Sequence, residues 1–455
     1  MSSASKVERL GTEKIGKLLW EMSSQTTLAL LAYAIYSVTD TYFLSIGINS
    51  LAAAGASIIS PVLIALGGIA TTVGAGGASV ISRALGARNT EKASRTVANT
   101  FLIFWATAIA VTVLGTLFIE PIVVLLGATE SISPYAIEYG RIIFLGAIFS
   151  TGFSTIIRAD GSIRYSTATW IIPICANTFL SWLFVMVLKM GASGAALATV
   201  IGGQALSNGM SMYFFFLKKN RTYNIRAVYF NPDWQLIGEI ITIGLPSFIK
   251  GLSASLLVIV TNNLLRVIGG DSALGVFAII GRLYSSLSTP QMGVVQGMQP
   301  ILGYNFGLKQ FDRVRKTITY SLGSVAVYGL LVCALCLLIP GTLIGLLSKE
   351  PMIIMEGQSA LQIMALALPL GGIPVMVAAY FQSAGRAKEA LIITLGGIII
   401  VKLPVLLIAS SLFSLNGIWA SEALSDLILC IIALMMLKRY QARIDAVNRV
   451  AYERP

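Results

Sequence analysis

One carboxylate, Asp40, interrupts the apolar run LLAYAIYSVTDTYFL between Leu30 and Leu44. An acid placed in hydrocarbon costs ~2.5–3.5 kcal/mol on insertion scales, so it normally faces a cavity or a partner. Desolvation also disfavours its charged form, which makes the carboxyl easier to protonate. The chemistry on offer is therefore capture of a proton or a hard cation. The alternative is a structural acid that hydrogen-bonds between packed helices. The same run holds Tyr36 and Thr39, and the other apolar runs of this half add Tyr139, Asn177, Ser181 and Thr199. Asn177 and Ser181 are four residues apart and share a helix face. Neutral oxygens around one carboxylate suit Na⁺ or H⁺.

The second half carries a different set: Lys250, Lys402, Glu422 and Asp426, all inside apolar runs. Glu422 and Asp426 repel one another on one helix face unless a cation lies close. Lys402, on the preceding run, is the expected partner, with Lys250 facing the same interior. The two bases and two acids either neutralise one another as a structural network or contact a substrate.

The elements that must position these residues are membrane helices. Of 455 residues, 56% are hydrophobic and only 11% charged; an average soluble domain carries about 25%. The chain has no histidine, which excludes His-based catalysis, ligation and proton relays. Its net charge of +12 is not a nucleic-acid footprint, because the bases sit in short loops between apolar runs. Cys333 and Cys336 form a C-x-x-C inside an apolar run, where small packing residues are expected rather than a redox pair. Cys175 and Cys430 also lie in apolar runs. The N-terminal MSSASKVERLGTEKIGK is polar and basic, and the apolar stretch after it is too long for a signal peptide.

Hydropathy predicts twelve spans, near 18–45, 51–82, 97–118, 135–157, 168–190, 193–217, 237–267, 273–303, 317–340, 355–385, 390–413 and 416–437. Alternate loops and the two tails hold 25 of the 32 Lys and Arg residues. That asymmetry predicts cytoplasmic termini. The longest polar segment follows the sixth span. It divides the chain into an N-lobe (1–217), a linker (218–236) and a C-lobe (237–455). The halves also resemble each other: Gly76–Thr96 aligns with Gly297–Thr317 at an offset of 221 residues, pairing Gly86 with Gly307 and Lys92 with Arg313. Six helices return the chain to its starting side, so the repeats are parallel, related by a pseudo-two-fold axis along the membrane normal.

The stretch GMQPILGYNFGLKQFDRVRK, which contains Gln299, resembles the second-repeat signature of multidrug and toxic compound extrusion (MATE) transporters, prokaryotic type. So do IYSVTDTYFLSIG, GGASVISRALGARNTEKA, the GLP at Gly244–Pro246, and LNGIWASEALSD. The resemblance covers nearly the whole chain. It implies a V-shaped pair of six-helix lobes and export of amphipathic, often cationic compounds against H⁺ or Na⁺ influx. It also implies an N-lobe cation site at Asp40, Tyr139, Asn177 and Thr199. This sequence departs from the pattern in three ways. Ser181 stands where many members carry an acid, Gln25 replaces a proline, and Lys250 and Lys402 lie outside the family pattern.

The expected function is secondary antiport by a monomer in the plasma membrane, with a small-molecule substrate, H⁺ or Na⁺ as the coupling ion and no cofactor. The competing readings are a flippase of lipid-linked precursors and an exporter of an anionic or zwitterionic metabolite. A membrane enzyme would need a nucleophile with a base, or a metal cluster, and no such set is present. No G-x-x-x-x-G-K-[ST] phosphate loop supports an ATP-driven pump.

Overall fold

The computed structural model describes residues 3–48, 50–149, 152–218 and 222–452, and among these there is no strand. Lipid offers no partner for backbone N–H and C=O groups, so an apolar chain closes them into helices. The helices are α1 (Ser3–Thr12), α2 (Ile15–Gly47), α3 (Ser50–Gly86), α4 (Thr90–Leu117), α5 (Ile119–Leu125), α6 (Ser133–Gly146) and α7 (Phe153–Ala159). Next come α8 (Ile163–Ser181), α9 (Gly191–Ala198), α10 (Leu206–Met212), α11 (Trp234–Gly307) and α12 (Phe311–Leu338). The last are α13 (Pro340–Gly345), α14 (Pro351–Ala365), α15 (Leu368–Ser383), α16 (Ala387–Leu391) and α17 (Leu403–Tyr452). Wider π-helical turns prolong α8 (Trp182–Val187), join α9 to α10 (Thr199–Ala205), prolong α10 (Tyr213–Leu217) and join α16 to α17 (Ile392–Lys402).

Backbone breaks recover the twelve expected spans from these helices. Gly270, at φ 65° and ψ −157°, splits the 74-residue α11 into two. Ser414, at φ 51° and ψ −128°, does the same for α17. α14 and α15 form one span bent by 46°, at a point where Pro369 supplies no N–H. Gln291, buried on α11, donates to the Leu368 carbonyl at 2.8 Å beside that bend.

The repeat is visible in the backbone. Just past the end of α3, Arg88 has φ 57°, and just past the end of α11, Lys309 has φ 60°, at the same 221-residue offset. Both use one hydrogen-bond pattern: Arg88 N–H to Leu85 O and Asn89 N–H to Ala84 O, matched by Lys309 N–H to Phe306 O and Gln310 N–H to Asn305 O. That is the left-handed cap that satisfies the last carbonyls of a helix. Side-chain caps open two helices, Asn89 for α4, directly after the first of these turns, and Asp233 for α11.

Contacts divide the chain into two compact units: 1–248 with 299–314, and 249–298 with 315–455. The expected division followed the chain at the 218–236 linker, whereas packing assigns both ends of α11 to the first unit. Glycine explains this. A β-carbon on Gly76 would collide with the Ile240 carbonyl, one on Gly244 with the Thr72 carbonyl, and one on Gly86 with the Tyr304 carbonyl. Backbones that approach so closely exclude any larger residue. Glu239 adds ion pairs to Arg83 (3.1 Å) and Lys92 (3.0 Å).

The first unit also holds α1, which the sequence reading treated only as a polar tail. Val7 and Leu10 are buried. Asn305 and Arg313 donate to the Leu10 carbonyl at 2.9 and 3.2 Å, and Arg313 also donates to the Glu13 carbonyl at 2.8 Å. In the second unit, Cys333 and Cys336 are free thiols in a core with Ile280, Leu361 and Trp419, which is a packing role.

Candidate functional site

In the first unit, α8 carries Asn177 and Ser181 to its buried face, and both are 1% exposed. The π-helical turn that opens at Thr199 lies against it. Gly202 makes this approach possible, because a β-carbon there would sit 2.7 Å from the Asn177 backbone. Asn177 Nδ2 donates to Thr199 Oγ1 at 3.4 Å. Asn177 Oδ1 and Ser181 Oγ, both buried, have no hydrogen-bond partner among the described residues. Buried oxygens in that position normally receive a ligand, water or ion. Tyr139 is buried with Ile59, Val123, Ala195 and Val200. Tyr36 is half-buried on α2, its ring 5.9 Å from that of Tyr33. Asp40 belongs to α2, which packs along α8, but its side chain lies outside the described residues.

In the second unit, Lys402 closes a π-helical segment and Glu422 and Asp426 lie one turn apart on α17. The Lys402 ammonium bridges the two acids, at 2.5 Å from Glu422 Oε1 and 2.9 Å from Asp426 Oδ1. Asp426 is buried and Glu422 and Lys402 are half-buried. Gly371 leaves room for this arrangement, since a β-carbon there would meet Asp426 Oδ2 at 2.5 Å. One ammonium thus joins two carboxylates that would otherwise repel. Lys250 stands apart from the bridge: its ammonium contacts the Met292 sulfur at 3.7 Å and no carboxylate among the described residues. Gln299, named with this cluster on sequence grounds, is half-buried in the first unit, so the cluster in the second does not include it. Among the described residues, no group of three His, Cys, Asp or Glu side chains could hold a metal ion.

A family model, MatE, matches residues 26–187 and 246–408, which is more than two thirds of the chain and one segment per repeat. The chain belongs to the MatE family. It is a multi-pass membrane transporter, not an enzyme, with twelve membrane helices in two six-helix bundles. Among curated relatives, this MatE chain is 26% identical to the multidrug export protein MepA of Staphylococcus haemolyticus over 438 residues, covering 94% of this chain and 95% of that one. It is also 26% identical to MepA of Staphylococcus aureus over 427 residues, with 92% and 93% covered. Among solved structures it matches a MATE transporter in its bent conformation, with TM-score 0.91, 21% identity and 97% and 98% coverage. A MOP superfamily transporter from Pyrococcus furiosus, described as having a binding pocket of reverse polarity, matches with TM-score 0.89, 21% identity and 96% and 98% coverage.

One buried acid escaped the sequence reading. Asp160, which follows α7, is 1% exposed. Burial pushes its carboxyl up to about 6, against the pull of hydrogen bonds from Ser162 N–H (2.9 Å) and the Thr222 hydroxyl (3.3 Å) and of the Lys218 charge. An R-A-D-G loop between two spans gives no sign of burial, because it is the fold that covers it. The folded state holds this proton more tightly than an unfolded chain, where the value is ~3.9. The carboxyl's contribution to stability is therefore complete below pH ~4 and is lost as pH rises through 6. Relative to wild type, Asp160→Asn should gain stability between pH 4 and 7, on the order of 3 kcal/mol at most. Thermal unfolding of both proteins across that range checks this; parallel stability–pH curves would show that Asp160 is not the titrating group.

Proposed function

We propose that the protein is a secondary active antiporter of the plasma membrane. It acts as a monomer with both termini cytoplasmic and exports amphipathic, cationic small organic compounds by alternating access. The reading is supported by family membership and by the multidrug export named for its MepA relatives. The observation that carries the coupling half is the pair of buried oxygens on Asn177 and Ser181, beside Thr199, that lack a hydrogen-bond partner among the described residues. They lie on a helix that packs along the one bearing Asp40.

The coupling ion is a proton. Ser181 takes the place of a second acid, so the N-half set offers Asp40 as its one mid-span carboxylate. A dehydrated Na⁺ favours several charged or carbonyl oxygens, whereas a lone desolvated carboxyl is suited to carry H⁺. On the substrate side, the two acids at Lys402 leave one negative charge in excess, which suits a cationic group.

Proteoliposomes with separately imposed pH and Na⁺ gradients test the reading. A pH gradient alone should drive uptake of a lipophilic cation such as ethidium, and adding a Na⁺ gradient at fixed pH should change the rate little. Strict dependence on Na⁺ overturns the proton assignment. Transport that follows neither gradient overturns antiport.

A further inference from the structure

We propose that Lys250 is an anion-binding subsite, through which the transporter takes amphipathic compounds bearing a carboxylate. For its role in transport the inference rests on the antiport reading above, and it adds a second class of substrate to it.

The argument starts from hydrogen-bond capacity. A lysine ammonium has three donors and no acceptor. Among the described residues, the Lys250 ammonium donates to the Met292 sulfur at 3.7 Å, and a thioether is a weak acceptor. The contrast with Lys402 is sharp, since that ammonium holds two carboxylates at 2.5 and 2.9 Å. Lys250 therefore keeps most of its hydrogen-bonding capacity although it is half-buried about 24 Å along its helix from Trp234, deep within the span.

Electrostatics points the same way. Among the described residues, the charged group acting on Lys250 is Lys402, and like charges make that interaction repulsive. Glu422 and Asp426 are both engaged by Lys402. An unpaired base inside a membrane span is costly and marks a functional site by default. An anion at Lys250 would supply the missing acceptor and lower the repulsion between the two ammoniums. A carboxylate on an apolar body fits best, because the surrounding helices are hydrophobic.

The poles of the second unit are then distinct. The Lys402–Glu422–Asp426 bridge carries one net negative charge and Lys250 one positive. A cationic group is drawn to the first and a carboxylate to the second.

The test compares two probes with the same fluorescent body, dansylglycine and its uncharged methyl ester. Binding is measured by fluorescence anisotropy on purified protein in phosphatidylcholine nanodiscs. The wild type should bind the acid about tenfold or more tightly than the ester, as a charge-assisted hydrogen bond implies. Lys250→Met should abolish that preference while binding the ester as wild type does, and Lys250→Arg should retain it. If Lys250→Met does not give a monodisperse protein, the wild-type ratio and Lys250→Arg decide. Equal affinity for acid and ester in the wild type, or a preference that survives Lys250→Met, overturns the proposal. Proton-driven transport without any preference for the acid also overturns it and leaves antiport standing. Acid-selective binding that depends on Lys250, in a protein showing no coupled transport, upholds the subsite and removes antiport.

Discussion

Lys402→Met is expected to destabilise the protein by about 3 kcal/mol, because it leaves Glu422 and Asp426 facing each other without a cation. The ammonium touches both acids, and Asp426 has only 4% of its side chain exposed. Removing one member of a buried ion pair costs more than removing both, since the stranded charge keeps its desolvation penalty. Glu422→Gln on the Lys402→Met background should therefore recover part of the loss. Thermal unfolding of wild type, both single variants and the double variant gives the coupling energy directly. If the double variant loses as much as the singles summed, the residues are not coupled. Glu422 and Asp426 would then act separately. The same set bears on function: freed of Lys402, the acids should bind a lipophilic cation more tightly, so affinity should rise while stability falls.

The second large effect is expected at Asp40. Asp40→Asn should reduce proton-driven efflux by at least tenfold while leaving the folded protein intact. The amide has nearly the shape of the acid and is cheaper to place in hydrocarbon, so nothing in the change threatens folding. What it removes is the ability to exchange a proton. Efflux in proteoliposomes under a fixed pH gradient, beside the unfolding temperature of the same preparation, separates the two effects. Undiminished coupled efflux in Asp40→Asn would place the coupling group elsewhere.

The twelve spans, the repeat and the partners of Lys402 were legible in the residues alone. All three follow from one constraint: in hydrocarbon, backbone groups must bond within a helix, and side-chain charges must find opposite charges nearby. A 221-residue offset in sequence thus became the same left-handed cap at Arg88 and Lys309, and a lysine beside two acids became a bridge. Asn177 and Thr199 met because each was a polar residue in a span with an inward face.

Other features depend on how closely distant segments approach, which local pattern does not encode. Gln299 was named with the C-half charges, yet it packs in the first unit, because α11 is drawn there by Gly244 against Thr72 and by Gly86 against Tyr304. A glycine in a sequence shows only that a side chain is missing, not which carbonyl fills the space. α1 read as a polar tail because its anchors, Asn305 and Arg313, come some 300 residues later. Asp160 read as a loop residue because its burial is supplied by the surrounding fold. The sequence placed Lys250 and Lys402 alike in apolar runs. Only the tertiary structure distinguished them, by handing both acids to one lysine and neither to the other.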